Sequence, residues 1–248
     1  MSEDTQRHLT RNGDAVFVVT RNGKHQYRYY KEYLDQSIRG RTKDSMWLPS
    51  VTTIASYIGG DSFSIGMNWA LKKVREAGGD MDAPKRNGTQ ARDVGNKLHQ
   101  DIDNFIKNPD APQAEDNDLF MLWHRELGSH KWVASEQFLV NTSYGYGGTA
   151  DAISLEPDGF AIWDWKTKDS GYTIRPSELA QITAYALAME SMDHPLTPVK
   201  AFIACVMRDG SGIDITPVDI SPVGHNAKLF FIGQDMYHAL RNAKGGKE

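Results

Sequence analysis

Between Thr89 and Lys107 the apolar residues Ala91, Val94, Leu98, Ile102 and Phe105 return every three or four positions, and Asn108-Pro109 ends the run. That spacing predicts one amphipathic helix. A polar stretch over 108–118 then precedes a second helical pattern at 119–127. The period changes after it. Runs over 132–140, 147–155 and 160–166 are rich in β-branched and aromatic residues, with Glu156-Pro157-Asp158-Gly159 as a turn between the last two; these read as strands. Pro176 opens a dense apolar run to Met192 with Glu178 in its first turn, a helix by its start signals. Strands over 199–208 and 213–220 flank Asp209-Gly210-Ser211-Gly212, and an amphipathic helix over 227–241 follows. Upstream, 15–20 and 26–30 form a hairpin about Asn22-Gly23. Ser50 caps a short helix running to Ile58, and another covers 65–77 before Gly78-Gly79. The order predicts an α/β fold with a mixed central β-sheet flanked by helices. An N-terminal elaboration over 1–85, hairpin plus helices, is expected to pack on a core over 86–248.

Composition narrows the classes. The chain has 248 residues, 40% hydrophobic and 24% charged, which is ordinary globular usage and excludes a disordered, collagenous or coiled-coil chain. No apolar run reaches the roughly 18–20 residues that cross a bilayer. The opening Met-Ser-Glu-Asp-Thr fits neither a secretory signal nor a transit peptide, so a cytoplasmic protein with no membrane partner is expected. With Cys205 as its single cysteine, the chain cannot build a thiolate metal site, and any metal is held by oxygen or imidazole.

The chemistry concentrates in one hairpin. If Leu155 and Phe160 close a four-residue loop, Ile153 faces Ile162 and Asp151 faces Asp164. Two carboxylates directly opposed on a sheet repel unless a cation lies between them. Lys166, two residues past Asp164, shares its face. Asp and Lys are poor strand formers, yet here they interrupt a strand beside Trp163 and Trp165, a local rule-breaking expected at functional sites. Three further features join them. His99 lies four residues after Gly95 on the long helix, Glu136 alternates in phase with Trp132, Ala134 and Phe138, and Gln181 and Tyr185 form a polar stripe four apart on an apolar helix. Each alone is compatible with an ordinary packed or solvated residue.

Taken in order, Gly95-x3-His99, Glu136, Gly148-x2-Asp151, Asp164-Trp165-Lys166 and Gln181-x3-Tyr185 resemble the PD-(D/E)XK nuclease superfamily, within its RecB-like exonuclease branch. That branch includes the mitochondrial genome maintenance exonuclease and phage exonucleases. The resemblance spans 88–190, and Pro49-Ser50-Val51-Thr52-Thr53-Ile54 is similar to a segment upstream in the same branch. It implies a restriction-endonuclease-like fold and a Mg²⁺- or Mn²⁺-dependent DNA nuclease in a bacterial or phage-infected cell. By the resemblance Asp151, Asp164, the Trp165 carbonyl and His99 hold the metal. Lys166 positions or activates the attacking water, and Glu136 is a further ligand or water contact. Gln181 and Tyr185 contact the DNA backbone or brace the site. Lys168 and Arg92 track phosphates, with Arg86, Lys97 and Arg175 as further candidates, while Trp163, Trp165, Tyr144, Tyr146 and Tyr172 are candidates for stacking on bases.

The implied activity is hydrolysis of phosphodiester bonds by metal-activated water, foremost as an exonuclease on single-stranded or end-containing DNA. A structure-specific endonuclease and a catalytically silent DNA-binding protein are the alternatives. Two departures qualify the match. Ala150 stands where the superfamily's name has Pro, and the cysteines of iron–sulfur relatives are missing, so no such cluster is expected. Without a Gly-x4-Gly-Lys-Ser/Thr loop, no ATP dependence is expected either. The net charge of -4 does not weigh against DNA, because Glu136, Asp151 and Asp164 would converge on a cation.

Overall fold

The computed structural model describes residues 4–9, 15–21, 24–30, 45–59, 62–111, 114–169, 171–191 and 194–243. Four strands come first: β1 (Asp4–Leu9), β2 (Ala15–Arg21), β3 (Lys24–Tyr30) and β4 (Ser45–Leu48), in the order β1-β2-β3-β4 and antiparallel throughout. The hairpin read from Asn22-Gly23 is β2 with β3; its two turn residues lie outside the described residues. The two outer strands escaped the pattern for physical reasons. Asp-Thr-Gln-Arg-His-Leu in β1 lacks apolar alternation, and β4 has four residues, too few to show a period.

Three helices follow: α1 (Val51–Ala55), α2 (Ser62–Glu76) and α3 (Ala83–Lys107), then α4 (Asp118–Leu127). Ser50 caps α1 by accepting the Thr53 N–H at 3.1 Å, and the helix gives way to turns before Ile58, where it was expected to end. Pro84 stands in the first turn of α3, which begins six residues ahead of its expected start. The anticipated boundary at residue 85 therefore falls inside a continuous helix.

The central sheet runs β5 (Trp132–Asn141), β6 (Tyr146–Glu156), β7 (Gly159–Lys168), β8 (Pro198–Met207) and β9 (Ile213–Pro217) in chain order. All neighbours are antiparallel except β7 and β8, whose parallel pairing needs a crossover, supplied by α5 (Pro176–Ser191). A last helix, α6 (His225–Ala243), packs on α5 and α1. The architecture is thus a mixed α/β sheet flanked by helices, accompanied by a four-stranded antiparallel sheet. Among the described residues, no helix is long and apolar enough to cross a membrane.

Two cores lie on the two faces of the central sheet. On one face α5, α6 and α1 bury Ile153, Ile162, Ile182, Met189, Ile203 and Phe230, with Val51 and Ile54 from α1 fully enclosed. On the other, α3 and α4 cover Trp163 and Trp165 with Leu98, Ile102, Phe120 and Trp123. Trp123 meets Trp165 edge-on with ring centres 5.6 Å apart. This aromatic layer fixes the height of α3 above β7, and with it the reach of His99.

The alternation of faces breaks at one level of the sheet. Ala134 and Leu139, five residues apart, both enter the α5-side core, and so do Ala150 and Ile153, three apart. Odd separations on one face require an irregularity in each strand. In β5 it is Glu136, whose φ of 47° lies in the left-handed region. A second irregularity between Trp132 and Ala134 sends those two residues to opposite cores. The expected common phase of Glu136 with Trp132, Ala134 and Phe138 is therefore corrected: simple alternation cannot see a bulge.

Candidate metal centre

The β6–β7 ladder pairs Leu155 with Phe160 and Ile153 with Ile162, the register expected from the turn, and ends at Ala152 with Trp163. The next step, Asp151 against Asp164, is where the two strands separate. Asp151 Oδ2 accepts the Trp165 N–H at 2.7 Å, replacing a ladder bond with a side-chain one. On the other side, Glu136 falls between the pairs Ser135–Ala152 and Gln137–Ala150, opposite Asp151. Three carboxylates thus stand in a row across β5, β6 and β7. A left-handed conformation at a residue other than glycine costs on the order of 1–3 kcal/mol and persists where the surroundings impose it.

His99 reaches the row from α3. Its Nε2 lies 3.1 Å from the Trp165 carbonyl oxygen and its Nδ1 3.7 Å from Asp151 Oδ2. Gly95, one turn earlier, lets α3 come this close: a Cβ there would sit 3.1 Å from Thr167 Oγ1. Donor atoms of His99, Glu136 and Asp151 lie within 4.8 Å of one another. Ligands about 2.1 Å from an octahedral Mg²⁺ are at most about 4.2 Å apart, so the trio needs a contraction of roughly half an ångström to close on one.

Asp164 points to the opposite face of β7 from Trp163 and Trp165 and is 1% exposed. Lys166 Nζ is 2.5 Å from its Oδ2. The approach pairs the charges without the angles of a hydrogen bond, so this buried oxygen has a countercharge and no aligned donor. Its other oxygen accepts from Gln181 Nε2 at 3.2 Å, and the same amide donates to the Tyr185 hydroxyl at 3.0 Å. Tyr185 fits over Gly148, where a Cβ would come within 2.4 Å of its ring. The glycine of Gly148-x2-Asp151 is thus a packing requirement.

Electrostatics mark the same place. Burial, then Asp151, raise the Glu136 pKa to about 7, with Asp103 adding and His99 opposing. Asp164 is also raised, by burial first, against the lowering pull of Lys166 and with Asp151 adding to the rise. For Lys166, burial lowers the pKa, but Asp164 and Asp151 outweigh it and hold the ammonium above its usual value. Both carboxyls are thus held up first by burial and then by the neighbouring Asp151. The donor set of carboxylates, one imidazole and the Trp165 carbonyl is hard, and an unaligned buried oxygen lies beside it. These residues fit a divalent cation such as Mg²⁺ or Mn²⁺.

Two clefts, of about 1040 Å³ and 570 Å³, meet at His99, Glu136 and Lys166. The structure thus gathers His99, Glu136, Asp151, Asp164, Lys166 and the Trp165 backbone, contributed by four separate elements. Gln181 and Tyr185 stand behind Asp164, and Tyr185 at 3% exposure has the position of a brace. Arg92 is exposed on the smaller cleft, whereas Lys168 is held by Glu178 at 2.9 Å. Of the other candidate cations, Arg86 pairs with Asp80, Lys97 bridges Asp101 and Asp116, and Arg175 lies over the Tyr172 ring. Trp163, Trp165 and Tyr146 are core residues and present no face for stacking, which corrects that expectation; Tyr144 is 57% exposed.

Sequence reasoning did not find the rest of the larger cleft. It is lined by His25, Trp47, Ser50, Thr52, Thr53, Thr149, Tyr237 and Arg241, among others, which only folding brings together. The one signal among them was the Pro49–Ile54 segment.

Fold and site give a mixed α/β protein in which His99, Glu136 and Asp151 lie close enough together to hold a metal ion where the central sheet splits. No protein-family model matches the chain. No curated protein matches it either. Among solved structures, one described as SSO0001 is 14% identical over 77% of this chain and 75% of that one, with a TM-score of 0.36, a likeness too slight to carry an argument.

Proposed function

We propose that this chain is a metal-dependent deoxyribonuclease of the PD-(D/E)XK type, with a restriction-endonuclease-like core, acting as an exonuclease on single-stranded or end-containing DNA. One observation carries the reading: Asp151, Asp164 and Lys166, with Glu136, His99 and the Trp165 carbonyl, converge at the split end of one β-hairpin, open to two clefts. A bound divalent cation would supply Lewis-acid neutralisation of phosphoryl charge and make water a better nucleophile. The chain's own residues do the remainder. Asp151 and Asp164 would hold the cation, together with His99 and the Trp165 carbonyl. Lys166 is anchored by Asp164 2.5 Å away and presents its ammonium to the space where water and phosphate meet. Glu136, opposite Asp151 on β5 and grouped with His99, would be a further ligand or water contact. Gln181 fixes the Asp164 rotamer through Oδ1 and is steadied by Tyr185.

The test is incubation of the purified chain with end-labelled linear single- and double-stranded DNA and with circular single strands, each with Mg²⁺, Mn²⁺ or EDTA. Cleavage of linear but not circular substrate, requiring the metal and lost in Asp164→Ala and Lys166→Ala, is expected. No cleavage, or cleavage indifferent to both substitutions, rejects the reading. Cleavage of circles would make the enzyme an endonuclease.

A further inference from the structure

Glu136, Asp151 and Asp164 outnumber Lys166 at the centre, so a polyanion laid across them meets repulsion unless cations lie on both sides of the cut. The lysines of the two clefts are already neutralised. Asp164 holds Lys166, and Glu178 holds Lys168 at 2.9 Å. Two arginines are placed differently: among the described residues, no carboxylate pairs with Arg92 on the smaller cleft or with Arg241 on the larger. Arg241 stands in the last turn of α6, where the partial negative charge of the helix end favours a cation. Its Nη1 donates to the Tyr237 hydroxyl, one turn earlier, at 2.7 Å. Tyr237 in turn meets Tyr57, just past α1, edge-on with ring centres 5.9 Å apart. Both Tyr237 and Arg241 line the cleft that opens on Asp151, Asp164 and Lys166. The hydroxyl takes one of the five guanidinium N–H groups, and the other four suffice for a two-pronged contact with a phosphate.

We infer that Arg241 is a phosphate clamp for a nucleotide beyond the cut, so that the bound strand crosses the carboxylate row from Arg241 in the larger cleft to Arg92 in the smaller one. The inference rests on the nuclease reading and adds a contact outside the ordered motifs, the last of which ends at Tyr185. A guanidinium on a phosphate reads the backbone and not the bases, so the contact carries no sequence preference. It does require the strand to continue on both sides of the scissile phosphate.

The experiment is fluorescence anisotropy of a labelled single-stranded oligodeoxynucleotide with the full chain in Ca²⁺, under conditions where no cleavage occurs, repeated across a series of KCl concentrations. Wild type, Arg241→Gln, Arg241→Lys and Lys228→Gln are compared, each checked for an unchanged melting transition. Lys228 is an exposed cation of the same helix that lines neither cleft, and it controls for net charge. Each phosphate contact on a single strand adds about 0.7 to the slope of log K against log salt, so Arg241→Gln should lower that slope by about 0.7 and weaken binding roughly five-fold at about 0.1 M salt, the difference closing as salt nears about 1 M. Arg241→Lys and Lys228→Gln should both keep the wild-type slope. An unchanged slope in Arg241→Gln, an equal fall in Lys228→Gln, or a lysine that fails to restore the slope overturns the inference and leaves the nuclease reading standing. If wild type does not bind the strand, both fall together.

Discussion

Replacing Glu136 by Gln isolates the electrostatic load on the centre. In the metal-free protein Glu136 is half-buried opposite Asp151, and its pKa of about 7 compares with 4.5 for the same carboxyl in water. The folded state therefore binds the proton more tightly than the unfolded state. Below about pH 4.5 both states are protonated and the group contributes no difference. As pH rises to 7 the unfolded chain releases its proton first, and the native state loses stability at about 1.4 kcal/mol per pH unit, a total of about 3 kcal/mol that then stays constant. Glu136→Gln cannot ionise and escapes this loss. The variant should thus gain on wild type by about 3 kcal/mol between pH 4.5 and 8, or about 6–12 °C in Tm for a chain of this size. Thermal melts in EDTA across that range measure it, and subtracting variant from wild type removes the pH dependence of Asp164, common to both. A saturating divalent cation should reverse the order at pH 8, because the carboxylate becomes a partner rather than a burden. A difference that stays flat with pH in EDTA would refute the reasoning.

Three other outcomes follow. Lys166→Met leaves the buried Asp164 without its countercharge, so stability should fall by about 3–5 kcal/mol at pH 8 and recover as acid protonates the carboxyl, seen by denaturant melts at two pH values. Gly148→Ala drives a methyl group into the Tyr185 ring, and a loss of about 1–3 kcal/mol with weakened Mn²⁺ binding is expected from melts and calorimetry; unchanged values would mean Tyr185 does not hold the site. Mn²⁺ at a hundred times its Kd should raise wild-type stability by about 2.7 kcal/mol and leave Asp151→Asn nearly unmoved, read as a shift in Tm.

Much of the central sheet was written in the chain because its signals are local. A turn of four residues set the pairing of Ile153 with Ile162, strand period put Asp164 and Lys166 on one face, and helical period fixed the register of Leu98, His99 and Ile102. Those local rules brought Asp164 and Lys166 onto one face, whereas His99 and Glu136 were joined to them by the resemblance of the ordered motifs. What the sequence by itself could not contain was the break that makes them a centre. Glu136 meets Asp151 because a left-handed residue and a bulge overrule alternation in β5, and the ladder stops at Ala152 because the Asp151 side chain takes the Trp165 N–H. Neither event leaves a mark on hydrophobic pattern. Burial was likewise a tertiary decision: Trp163 and Trp165 read equally well as base-stacking rings until α3 and α4 covered them. Trp47, which lines the larger cleft, comes from a strand of four residues, too short to announce itself, and is placed there because β4 pairs with β3. Sequence placed the candidate residues on their elements; packing over long separations chose their geometry, because distances between remote segments are set by what fills the space between them.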